Sequence, residues 1–168
     1  MKKLSILLVL LLFACQSFSQ ENNNETLGEV ITRMADTVEG DSGNWHFAIN
    51  DRLLVCITDE KHNRMRIIAP ITKVSSLSDE EIMNCLLANF HTALDVKYAI
   101  SDEVLWSVFV HPLKELSQAQ MEDAISQVYF AAETFGSSYS STNLVFPGKA
   151  PVQESKKVKE KTIQLQKG

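Results

Sequence analysis

No stretch of this 168-residue chain is long and apolar enough to span a bilayer, which takes about 20 such residues; the longest, Leu4 to Ala14, falls well short. A glycine-rich phosphate loop is also missing, because Gly136-Ser137-Ser138 has neither the lysine nor the following helix that would give it that meaning. The four histidines, His46, His62, His91 and His111, do not stand at metal-ligand spacing with other donors, and zinc would need three or four converging ligands. No metal or other cofactor is therefore expected. No internal repeat is evident. Positive charge is scarce in the body of the chain: from Glu21 to Gly148 there are 8 Lys/Arg against 19 Asp/Glu, a balance of −11. Such a body repels phosphate backbones, which excludes nucleic acid as its partner.

What is present begins with an export signal. Lys2 and Lys3 form a positive start, the apolar run follows, and Ser17-Phe18-Ser19 before Gln20 supplies the small residues of a cleavage site. Residues 1–19 read as signal peptide, 20–24 as a flexible leader, 25–146 as one domain and 147–168 as a disordered tail. That tail is basic, since Lys149 to Gly168 holds 6 Lys and 2 Glu. The expected location is periplasmic. Alternatively, Leu12-Phe13-Ala14-Cys15 resembles a lipobox, which would make Cys15 a lipidated N-terminus and the protein a membrane-anchored lipoprotein; simple secretion is a third destination. In an oxidising compartment Cys56 and Cys85 are permitted a disulfide, but each lies in a periodic segment where a small buried apolar residue is the stronger reading.

The hydrophobic period changes several times along the domain. Leu27, Val30, Ile31, Met34 and Val38 recur on one helical face, and Gly40 to Gly43 end that helix. From Trp45 the pattern alternates, giving strands at Trp45 to Ile49, Leu53 to Ile57 and Arg64 to Ile71 around the turns Asn50-Asp51 and Asp59 to Asn63. Connections this short make an antiparallel meander. Ser78-Asp79-Glu80-Glu81 is a capping box, and Ile82, Leu86, Phe90, Ala93 and Leu94 then trace one helical face. Val96 to Ile100 and Val104 to Val110 form a hairpin about Ser101-Asp102-Glu103. Ser117 caps a last helix with the stripe Met121, Ala124, Ile125, Val128, Ala131, Ala132 and Phe135. The expected architecture is α+β in two layers: a five-stranded antiparallel sheet and three helices, in the order α-β-β-β-α-β-β-α.

This order, with the stretches Trp45 to Ile57, Arg64-Met65-Arg66-Ile67-Ile68-Ala69-Pro70-Ile71, Leu86-Leu87-Ala88-Asn89, Tyr98-Ala99-Ile100 to Trp106, and His111-Pro112-Leu113 to Leu116-Ser117, resembles the type III secretion chaperone-like fold. That group includes the Tir-chaperone and YbjN-like families, and the resemblance covers roughly Leu27 to Phe146. It implies a non-enzymatic binding protein, often a homodimer, whose sheet and helices hold another polypeptide in extended form. The export signal sets this chain apart from the secretion chaperones, which act on cargo inside the cell.

Catalytic alternatives are thin. Cys85 sits inside an amphipathic helix without the local signature of a cysteine hydrolase, and Glu80 with Glu81 are explained by capping. The competing function is an enzyme of unrecognised chemistry using Cys85 or a histidine, or a lipid-anchored structural envelope protein. The sheet is more telling. If Trp45, Phe47, Val55, Ile57, Ile67 and Val108 face the helices, then Leu54, Cys56, Ile68, Leu105 and Phe109 face away, where a solvated sheet should be polar. Those five either pack beneath the tail, a helix or a neighbouring strand, or form a patch for a partner or a second subunit.

Overall fold

The computed structural model describes residues 23–144. Helix α1 (Asn24–Met34) is capped by the Asn23 side chain, which accepts from the Thr26 amide, and buries Leu27, Val30 and Ile31. Six strands follow in two groups: β1 (Thr37–Asp41), β2 (Asn44–Ile49), β3 (Arg52–Asp59) and β4 (Arg64–Lys73), then β5 (Lys97–Ser101) and β6 (Val104–His111). Helix α2 (Asp79–His91) separates the groups, and α3 (Gln118–Glu133) comes last. All strand pairs are antiparallel, in the spatial order β1-β2-β3-β4-β6-β5.

The α+β class, the antiparallel sheet and the three helices agree with expectation among the described residues; the strand count does not. β1 takes the place assigned to the end of the first helix and its turn, so the order is α-β-β-β-β-α-β-β-α. Helix α1 stops at Met34, and Thr37-Val38, β-branched residues suited to a pleated surface, pair with Phe47-Ala48. Val38 therefore belongs to a strand edge. The glycines that looked like a helix stop are the means of closing this hairpin. Gly40 has φ +99°, and a Cβ there would lie 2.2 Å from the Asn44 carbonyl oxygen, so only glycine fits.

Helices α1 and α3 cover one face of the sheet. Trp45 and Phe47 of β2, Leu54 and Cys56 of β3, Met65, Ile67 and Ala69 of β4, Tyr98 of β5, and Leu105 and Phe109 of β6 are buried there with the inner sides of α1 and α3. Helix α3 lies over β4 and β6 and beside α1. Its stripe Met121, Ala124, Ile125, Val128, Ala131 and Ala132 is buried, as its period requires. Each large aliphatic side chain so buried contributes roughly 1.5–3 kcal/mol. Polar groups in the core are bonded: the Ser107 hydroxyl donates to the Val128 carbonyl at 2.8 Å, and the Tyr98 hydroxyl to the Ala131 carbonyl at 2.7 Å. Ion pairs Arg33–Glu122 and Arg52–Glu133 fasten α1 and β3 to α3.

Candidate interaction surfaces

Four of the five residues expected on the far side of the sheet are in the core. Leu54 and Cys56 are wholly buried, Leu105 and Phe109 nearly so, and only Ile68 lies on the outer face, half-buried. The reason is turn arithmetic. Asn50 (φ 46°) and Asp51 (φ 65°) form a two-residue turn, which makes Ile49 and Arg52 the closing pair. Residues directly opposite share a face, so Leu54 must side with Phe47, and Cys56 with Trp45. The Asp102-Glu103 turn, also left-handed at both positions, does the same for the second hairpin, setting Ile100 opposite Leu105 and Tyr98 opposite Ser107. Val55, Ile57 and Val108, expected inside, are thereby turned out.

The idea of an apolar outer face survives with different residues. Rows running across the strands set Ala48 beside Leu53, His46 beside Val55, Ile68 and Val108, and Ile57 beside Arg66 and Val110. Pro70 and Trp106 extend the first of these rows. Leu53 and Ile57 are 46% exposed and Val110 is 54% exposed. Where this patch meets Arg64 and Arg66 there is a hollow of about 240 Å³, walled also by Ile57, Thr58, Asp59, Met65 and Val110.

A second apolar surface lies on α2. Its capping box forms as expected, with the Ser78 hydroxyl accepting from the Glu81 amide and the Glu81 carboxylate accepting from the Ser78 amide at 2.8 Å. The Ser78 amide, and the Ser78 hydroxyl that also donates to the carboxylate at 2.8 Å, hold the Glu81 carboxyl below its usual pKa. The helix is attached to the sheet at its edge: the Asn89 side chain bonds both the amide and the carbonyl of Tyr98 on β5, at 2.7 and 3.1 Å, as a neighbouring strand would. Only the small residues Cys85 and Ala88 are buried. Met83, Leu86, Leu87 and Phe90 stand 40–73% exposed, and their i, i+3, i+4, i+7 spacing makes them one continuous stripe.

The residues weighed for catalysis are dispersed. Both described cysteines are free and buried. Burial pushes the Cys56 thiol up to about 12. Burial and the Glu81 carboxylate push Cys85 to about 11, with the phenols of Tyr98 and Tyr139 also beside it. Both thiols are protonated at neutral pH, whereas a nucleophile needs the thiolate. His46 is exposed on β2, His62 bonds Asp59 at 2.7 Å, and His91 lies edge-on to Phe90. His111 bonds the Pro112 carbonyl and stacks on Phe109. His111 also borders an open cleft of about 520 Å³ with Asp95, Lys97, Asp123 and Gln127. The Gln127 amide there donates to Asp123 at 2.7 Å and to Asp95 at 3.3 Å, while the Lys97 ammonium is held by the Leu94 and Val96 carbonyls. The described residues contain no cluster of three or more metal-ligand side chains. Cys15, both cleavage sites and the lysine-rich tail lie outside the described residues.

No protein-family profile matches the chain, and no curated protein matches it in sequence. Solved structures do match. The fold is that of the type III secretion chaperones. A complex of the Yersinia pestis secretion chaperone SycH with a fragment of YscM2 superimposes with TM-score 0.52 at 13% identity, covering 67% of this chain and 98% of that one. The HopA1–SchA chaperone–effector complex gives 0.50 at 11% identity, over 67% and 88% of the two chains. The ExsC–ExsE complex gives 0.51 at 12% identity, over 66% and 87%. The secretion-chaperone resemblance read from element order is thus a likeness in three dimensions. At such identities it is a likeness of fold, with function to be argued from the surfaces.

Proposed function

We propose that this is an exported, non-enzymatic polypeptide-binding module that works as a homodimer. The observation that carries the reading is α2, which turns Met83, Leu86, Leu87 and Phe90 to solvent and its small residues to the core. Contiguous exposed apolar surface of this kind marks an interface. A second copy is the natural occupant, because a helical stripe repeating at i, i+3, i+4 and i+7 can pack against its own counterpart about a two-fold axis. The neighbours in fold support polypeptide binding, since each was solved with another polypeptide. Export rests on the residues before Glu21 alone, with cleavage after Ser19 giving a periplasmic protein and acylation of Cys15 a membrane-anchored one.

A photo-crosslinking residue placed at Leu87 of the full precursor, expressed in a bacterial host with two membranes, tests these claims together. Fractionation should put the mature chain in the periplasm with Gln20 at its N-terminus, and illumination should give an adduct of two copies. A chain that keeps Lys2 and stays in the cytoplasm would overturn export. The lack of any adduct at Leu87, with efficient crosslinking at a buried control position, would overturn the dimer.

A further inference from the structure

The outer face of the sheet differs in charge from the rest of the domain. Three of the eight cations between Glu21 and Gly148 stand on it: Arg64 opposite Asp59, Arg66 opposite Ile57 and Val110, and Lys73 opposite Val104; a fourth, Lys97, registers opposite Val108, but its ammonium is held by the Leu94 and Val96 carbonyls. Across β2 to β6 the same face carries one carboxylate, Asp59, and that one is engaged by the amide and ring of His62 at 3.0 and 2.7 Å. Two further carboxylates, Glu39 and Asp41, are on β1 at the far edge. An apolar centre of Leu53, Val55, Ile57, Ile68, Val108 and Val110 therefore has positive margins at both ends of β4, on a body whose net charge is −11. Such segregation selects partners by charge and steers their approach.

We infer that this face seats an apolar polypeptide segment with acidic flanks, its side chains entering the hollow of about 240 Å³ beside Arg64 and Arg66 while its carboxylates meet the two guanidiniums. The inference rests on the polypeptide-binding reading above and names the partner's chemistry and seat. It is independent of α2, which lies beyond the β5 edge. An anionic membrane would also meet apolar and positive groups here, but the acidic body behind the sheet opposes a broad negative surface, whereas a single extended segment touches the face alone.

The test uses the mature full-length chain and two labelled twelve-residue peptides, one with a Val/Leu centre flanked by Glu and the other carrying Lys in place of Glu, read by fluorescence anisotropy. Vesicles of phosphatidylglycerol in phosphatidylcholine form a third arm. The acidic peptide should bind about tenfold or more tightly than the basic one and weaken as salt rises. The Arg64→Glu/Arg66→Glu double variant should reverse that preference with its melting temperature kept, and Arg66→Lys should retain it. Equal binding of both peptides, unmoved by the double variant, would overturn this seat while leaving polypeptide binding intact. Binding of neither peptide would overturn both readings. Capture by the vesicles with indifference to peptides would replace the partner with a lipid surface.

Discussion

Helices α2 and α3 begin alike and end in opposite environments. Each has a serine N-cap and a completed capping box, Ser78 with Glu81 and Ser117 with Gln120. Each carries an apolar stripe at helical spacing. Helix α3 lies across the sheet centre and buries seven residues, whereas α2 hangs from the β5 edge through Asn89 and buries two. The period of a stripe marks one side of a helix as apolar and does not say what covers it. Whether the cover comes from the same chain depends on where the helix is docked.

The sharpest way to break this contrast is to truncate one residue from each stripe. Ile125→Ala should cost about 2–5 kcal/mol, because it opens a cavity between α3 and the sheet. Leu86→Ala should leave the unfolding free energy of a subunit nearly unchanged, within about 0.5 kcal/mol, as expected of an exposed site. Urea denaturation of dilute protein measures both, and equal losses would mean that α2 is packed like α3.

A smaller effect separates the two caps. Glu81 is ionisable and its folded pKa is lowered by the Ser78 amide and hydroxyl, so its contribution is present above the unfolded value near 4.5 and is lost as pH falls through the folded one. Gln120 does not titrate. Amide exchange should therefore show the first turn of α2 loosening in acid while that of α3 holds, and Glu81→Gln should remove the difference. Identical acid responses would contradict the assignment.

Much of the fold was legible in the sequence because its signals are local. The capping boxes, the alternation from Trp45 and the Asn50-Asp51 turn each lie within a few residues, and together they gave the secretion-chaperone likeness. Strand β1 was hidden by Val38, whose spacing from Met34 continues the helical period and whose β-branch suits a strand equally well. The sheet faces follow from the turn and not from alternation alone, since a two-residue turn pairs Ile49 with Arg52 and so commits Leu54 and Cys56 to the side of Phe47 and Trp45. Leu86 and Phe90 are visible as a stripe, but their exposure goes with docking at the sheet edge through Asn89 and Tyr98, which helical periodicity does not announce.

The central claim is that the stripe on α2 is an interface between two copies. Sedimentation equilibrium of the mature chain across the micromolar range, beside the variant Leu87→Glu, tests it most directly. A dimer for the parent chain, with a monomer of unchanged melting temperature for the variant at low concentration, is the predicted result. A parent chain that stays monomeric at every concentration would contradict it.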